Sequence, residues 1–238
     1  DDGYGVASVL KLYARNAPEL QFVCLQPGSM FDWLTENGNR VHLVEGLSSF
    51  TATGSARTLM QLPGVMAKAY QSATALHKLF QQLGVRVVHA HWLPQHIIAG
   101  HLRKLGYTSV WHIHGNMSQR RLFGLGSKLN HLLAKWGADL LIPVSNFIGF
   151  NWKGAGVPIR VIHNAAPKLF EGPNERSDDR VRCVIAGRLT EDKGHHLAIH
   201  AVVNARAAGH DIVLDVFGGP LDRNPYVDDL KRLVSRSN

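Results

Sequence analysis

The stretch VIAGRLTEDKGHHLAIHAV, residues 184–202, decides the fold. It opens on apolar, β-favouring residues that stop at Gly187 and passes through Arg188 and a short polar loop. It reaches Lys193-Gly194 where a helix-period segment begins. A strand that ends on a glycine and hands over to a helix is half of a βαβ unit. The second strand follows in DIVLDVFGG (211–219), and a further helix in residues 226–235. A helix N-terminus offers unbonded backbone N–H groups and the positive end of a dipole. Arg188 adds a guanidinium that forks onto phosphate oxygens, and Lys193 a mobile point charge. Two surface charges at a turn are the plainer reading. Their place at a strand-to-helix switch, with Gly187 and Gly194 on either side, favours a diphosphate site.

The same rhythm runs toward the N-terminus. QFVCLQPG (21–28), RVHLVEG (40–46), RVVHAHW (86–92), TSVWHIHGN (108–116), LLIPVSNF (140–147) and IRVIHNAAP (159–167) read as strands. Between them a long helix follows Pro63, which suits a first-turn proline, with Met66, Ala69, Tyr70, Ala73, Leu76, Phe80 and Leu83 at helical period. A second helix covers 97–106, and Leu129, Leu132, Leu133 and Trp136 mark the face of a third. Strands apolar on both faces, alternating with helices, predict an α/β fold with parallel sheets covered on both sides. PKLFEGPNERSDDR, with two prolines and no periodicity, reads as a linker. The expected division is a first Rossmann-like domain at 1–168, a linker at 169–180 and the start of a second at 181–238. Both ends read as cut. Gly3-Tyr4-Gly5 ahead of a helix calls for a strand before residue 1, and two strands with two helices bury too little to complete a domain.

Composition narrows the function. Apolar residues make up 45% and charged residues 18%, enough for a core and too few charges for a disordered chain. The net charge of +8 attracts phosphates in some form, but the basic residues are scattered, the nearest cluster being Gln119-Arg120-Arg121, so nucleic acid is not the expected partner. Cys24 and Cys183 each lie in an apolar run and read as small core residues. With no signal segment this fits a reducing, cytoplasmic setting.

Ligands of parallel sheets bind beyond the C-terminal ends of the strands. In the first half those ends carry Gly5, His91, His114-Gly115-Asn116, Ser145-Asn146 and Asn164. In the second they carry Gly187-Arg188, Lys193-Gly194 and Gly218-Gly219-Pro220.

GRLTEDKGHHLAIHA resembles the Gly-Arg…Lys-Gly signature of retaining glycosyltransferases of family 4. VVHAHW, HIHG, LIPVS, VIHNAA and VFGGP resemble further strand ends of that family, in its order and spacing. The resemblance implies a GT-B fold, two Rossmann-like domains whose parallel sheets face each other across a cleft, the second incomplete here. It implies transfer of a sugar, of hexosyltransferase type, from a nucleotide-sugar donor to an acceptor hydroxyl with retention of configuration and without a metal or other cofactor. Arg188 and Lys193 would hold the donor diphosphate and stabilise the leaving nucleotide, and His114 would stand by the transferred sugar or the acceptor hydroxyl. Gly5, Gly187, Gly218 and Gly219 would line the donor, and His91, Asn116, Ser145 and Asn164 the acceptor side. The acceptor would be a sugar, a lipid-linked sugar or a polysaccharide, the lipid-linked case bringing the protein to the inner face of the membrane. Three features depart from the family pattern. No Glu-x7-Glu follows Gly219, Tyr4-Gly5 stands for Gly-Gly, and Asn164-Ala165 stands for Asn-Gly. The first leaves a non-catalytic nucleotide- or sugar-binding remnant as an alternative.

The histidines offer another alternative, a His-ligated metal-dependent Rossmann enzyme. His89 and His91, like His112 and His114, are two residues apart on one strand and share a face. Two such pairs on neighbouring strands could hold a metal, but no carboxylate stands nearby to orient them. Sheet hydrogen bonding accounts for His89 and His112, and solvent exposure for His195, His196 and His200. Trp92, Trp111 and Trp136 could stack on sugars, but their apolar settings favour packing.

Overall fold

Helix and strand alternate throughout the computed structural model, which describes residues 5–46, 56–115, 125–165, 180–219 and 225–235. The chain forms two compact units, Asp1–Lys168 and Leu169–Asn238. The first holds α1 (Gly5–Asn16), β1 (Gln21–Cys24), α2 (Ser29–Glu36), β2 (Arg40–Leu43), α3 (Ala56–Leu83) and β3 (Val87–Ala90). It continues with α4 (Leu93–Lys104), β4 (Thr108–Ile113), α5 (Leu125–Gly137), β5 (Leu140–Pro143) and α6 (Asn146–Trp152). The second holds β6 (Val181–Ala186), α7 (His195–Ala207), β7 (Ile212–Phe217) and α8 (Pro225–Ser235). Every strand pair is parallel: β1 with β2, β3–β4–β5 in that order, and β6 with β7. The fold is α/β, as the alternation predicts.

Among the described residues of the first unit the strands form two sheets rather than one. Helix α4 stands between two apolar clusters. Ile97, Ile98 and Leu102 join Ala69, Ala73, Leu76 and Phe80 of α3, and Ala99 joins Trp111, Ala134, Leu141, Ile148 and Trp152. A glycine contact sets how closely α4 meets α5. A Cβ on Gly100 would lie 2.2 Å from the Trp136 ring, and one on Gly137 would lie 2.6 Å from the Trp111 ring and 3.1 Å from Gly100 Cα. Gly100→Ala is expected to cost about 1–3 kcal/mol by overpacking. Gly64→Ala, in α3 where an added Cβ meets nothing within 4 Å, is expected to stabilise by roughly 0.5–1 kcal/mol through lower backbone entropy. Urea midpoints of the two variants should move in opposite directions.

Asp139 ties the same region together. Its carboxylate accepts from Arg103 Nε at 2.7 Å and from the Ser109 backbone N–H at 2.9 Å. Burial works against its charge, but these two donors hold its carboxyl below the usual range.

Several expectations are corrected. Residues 159–165 form no strand. Ile159 bridges Leu141, and Arg160 and Ile162 donate to the carbonyls of Leu141 and Pro143, so the segment runs beside β5 without a regular ladder. Pro63 lies inside α3 rather than in its first turn. Helices α2 and α6 were not expected. The expected linker lies outside the described residues except for Arg180, as does the Gln119-Arg120-Arg121 cluster. Trp111 is buried and Trp136 packs at the edge of the core, but Trp92 is 53% exposed. Cys24 and Cys183 are free, half-buried thiols.

The second unit buries little. Among its described residues only His195, Ile199 and Leu230 are buried, while Val181, Val184, Leu197 and Phe217 are exposed.

Candidate active site

The strands of the first unit deliver four histidines to one place. The β3–β4 register pairs His89 with Val110 and Ala90 with Trp111, so the alternation of side chains puts His89, His91, His112 and His114 on the same face. His91 and His114 stand just past the C-terminal ends of β3 and β4. Their rings are hydrogen-bonded, Nδ1 of His91 to Nε2 of His114 at 2.9 Å. His112 stacks on His114, centroids 4.2 Å apart, and on His89 at 5.2 Å. From α1, Tyr13 leans over the group with its ring centroid 5.9–6.3 Å from those of His89, His91 and His112. Its hydroxyl lies 3.5 Å from His112 Nδ1, while His112 Nε2 and His114 Nδ1 are buried without a partner. Sheet hydrogen bonding therefore does not account for His112.

Beneath them lies His96, which the sequence did not single out. It is buried, stacks on Trp111 at 4.7 Å, and donates from Nε2 to the Ala90 carbonyl at 3.2 Å. Its signal was its place on the inward face of α4, one residue before the buried pair Ile97-Ile98.

All five imidazoles are held neutral. Burial is the main cause, for His89 the packing of its ring among the others although much of that side chain remains exposed, and the neighbouring rings add to it for His89, His91, His96 and His112. His89 and His114 are lowered to about 4, His96 and His112 to about 3, and His91 further still. A neutral imidazole carries one N–H donor and one acceptor nitrogen, so this is a hydrogen-bonding surface rather than a cationic one.

The other predicted residues of this unit are less closely grouped. Ser145 caps α6, its hydroxyl oxygen accepting from the Ile148 N–H at 3.2 Å. Asn164 is exposed in the irregular segment after Ile159. Gly5 opens α1, and a Cβ there would meet nothing within 4 Å. Asn116 lies outside the described residues.

In the second unit the strand-to-helix switch is as predicted up to Gly187, and tighter beyond it. A 3-10 turn, Glu191–Lys193, precedes α7, and Gly194 joins the two with φ 71° in the left-handed region. The N–H groups of Lys193 and Gly194 close that turn onto Thr190 and Glu191, and Tyr226 Oη accepts from the His196 N–H. These N–H groups are therefore not free for a ligand, as a bare helix start would leave them. The cations that remain are Arg188 and Lys193, the latter 3.3 Å from Asp192. Gly187 N–H donates to Phe217 and Leu189 N–H to Gly219, so the strand ends stay zipped around Gly218. A Cβ on Gly218 would lie 1.8 Å from the Gly187 carbonyl oxygen. A Cβ on Gly219 would meet nothing within 4 Å. Pro220 lies outside the described residues.

His195 overturns one expectation. It is fully buried, and neither ring nitrogen has a partner. Its Cε1 lies 3.8 Å from the point a Cβ on Gly187 would occupy. It shares the inward face of α7 with Ile199, four residues on, and that spacing was the available signal. His196 bonds Tyr226, and His200 alone of the three is exposed as expected.

The sequence model of glycosyltransferase family 4 matches residues 30–167, more than half of the chain. The chain belongs to glycosyltransferase family 4. The matched stretch contains His91, His114, Ser145 and Asn164, while Gly5 and the Arg188–Lys193 turn lie beyond it. No curated protein sequence matches the chain. Two solved structures similar to this family 4 chain are those of Anabaena Alr3699/HepE, one in complex with UDP and glucose at a TM-score of 0.69, the other in complex with UDP at 0.68. Each is 18% identical and is matched over 100% of this chain. The chain spans 64% of the length of those structures. The likeness carries the fold, that of GT-B glycosyltransferases. Among the described residues no helix is long and apolar enough to cross a membrane.

Proposed function

We propose that this chain serves a glycosyltransferase that moves a sugar from a nucleotide-sugar donor to an acceptor hydroxyl with retention of configuration. The observation that carries the reading is the family 4 match over the stretch where His91 and His114 meet at the ends of β3 and β4. The β6–α7 turn adds two cations beside a close glycine contact. Arg188 and Lys193 take the donor diphosphate and stabilise the charge that builds on it as the sugar leaves, the electrostatic task that often dominates such catalysis. The two cations do this without a metal. Gly187 and Gly219 leave room for the donor, and Gly218 lets the two strand ends that carry it close up against each other. His114, neutral and steadied by His91, offers a hydrogen bond to the transferred sugar or to the acceptor hydroxyl. His91, Ser145 and Asn164 belong to the acceptor side, as does Asn116 outside the described residues, and the acceptor is a sugar, lipid-linked sugar or polysaccharide, at work in the cytoplasm or on the inner face of a membrane.

UDP is the first nucleotide to test, since the Alr3699/HepE structures hold it. Calorimetric titration should show UDP binding weakened about tenfold or more in Arg188→Ala and in Lys193→Ala, the loss of a charge-assisted hydrogen bond being worth roughly 1.5–3 kcal/mol. Uridine, which lacks the phosphates, should bind all three proteins alike. UDP affinity unchanged in both variants would remove the turn from the donor site.

A further inference from the structure

We propose that His89, His91 and His112 form a binding site for a divalent transition metal such as Zn2+. One ring nitrogen from each lies within 4.8 Å of the others. Zn–N bonds of about 2.0–2.1 Å put tetrahedral donors roughly 3.3 Å apart, so the rings must draw together by about an ångström or more, and His89 must tilt out of its stack on His112 so that both lone pairs point at one ion. The arrangement permits this, because His112 is packed and fixed while His91 is half-buried and His89 is exposed, free to adjust toward it.

Three neutral imidazoles select for borderline ions such as Zn2+, Cu2+ and Ni2+ over Mg2+ or Ca2+, which prefer oxygen. Metal-binding histidines are oriented by a partner on the second ring nitrogen, and the absence of a carboxylate counts against such a site in the sequence. The structure supplies other partners. His91 Nδ1 is committed to His114, which leaves Nε2 for a metal. His112 Nδ1 faces the Tyr13 hydroxyl at 3.5 Å, and its Nε2 is buried with no partner at all. A buried nitrogen without a partner is costly unless something binds it. Three protein ligands leave a fourth position open for water or another donor.

Occupancy would take His91 from acceptor binding and so inhibit transfer. That consequence rests on the proposed function, but the site does not.

The test is titration of the full chain with Co2+ alone, whose visible d–d bands report tetrahedral nitrogen ligation. One equivalent should develop the bands, Zn2+ should erase them and Mg2+ should not. His89→Asn changes an exposed side chain and should leave the circular dichroism spectrum intact while weakening Co2+ binding at least about tenfold. His112→Asn should do the same to binding. His210→Asn, at an exposed histidine of the second unit, should leave it unchanged. Absence of bands in the wild type, bands that survive His89→Asn, or equal loss in His210→Asn would each overturn the site. UDP affinity is read separately, so loss of one proposal leaves the other standing.

Discussion

Acidification from pH 7 toward pH 4 will destabilise the first unit steeply, with the loss setting in below pH 6.5, above the carboxylate range. The cause is the histidine group. In the unfolded chain each imidazole takes up a proton near pH 6.5. In the folded chain His96 and His112 do so only at about 3, and His91 lower still, because their rings are buried among one another. Depressed folded pKa values leave stability intact above pH 6.5 and erode it as pH falls toward the folded values, since only the unfolded state gains protons in that window. Each fully displaced group contributes about 1.4 kcal/mol per pH unit. Three give roughly 4 kcal/mol per unit below about pH 5.5, against a total domain stability of about 5–15 kcal/mol. His89 is exposed and adds little. Thermal melts should show a midpoint that is flat from pH 8 to 6.5 and falls steeply below 6, and His112→Asn should reduce the slope by about one proton. A midpoint indifferent to pH down to 4.5 would mean that these rings are not buried together.

Gly218→Ala will disrupt the second unit, whereas Gly219→Ala will not. The two glycines are neighbours in sequence, but Gly218 lies between two inter-strand bonds, Gly187 N–H to Phe217 and Leu189 N–H to Gly219. Its φ of 156° leaves the Cβ position aimed at the Gly187 carbonyl, 1.8 Å from the oxygen and 2.9 Å from the carbon. Backbone cannot yield as a flexible side chain would, so the strand ends must part. The expected cost is about 3 kcal/mol or more, at the upper end for overpacking. A unit with three buried residues among those described has little reserve to absorb it. Hydrogen exchange over β6 and β7 should rise sharply in Gly218→Ala and stay at the wild-type level in Gly219→Ala. Equal protection in the two variants would contradict the close approach.

The fold was legible because its strands are short apolar runs between helical periods, a pattern that burial on both faces imposes. The misreadings have particular causes. Residues 159–165 carry the composition of a strand, but pairing depends on backbone register with β5, which composition does not encode. Pro63 has the residue type of a helix start, yet α3 begins before it, at Ala56, and runs through it. The helices α2 and α6, of eight and seven residues, are too short to show a period. The four strand-end histidines could be picked out by position. Their stacking into one neutral group depends on the β3–β4 register and on Tyr13 from a distant helix, and neither is local. His195 looked solvated because polar residues usually are, and its burial opposite Gly187 appears only in three dimensions.

The most direct measurement is a crystal structure of the protein with UDP bound. The account predicts the diphosphate at the β6–α7 turn, its oxygens within hydrogen-bonding distance of the Arg188 guanidinium and the Lys193 ammonium, with Gly187 and Gly218 beneath it. A diphosphate held elsewhere, with both cations left to solvent, would contradict the assignment of the donor site.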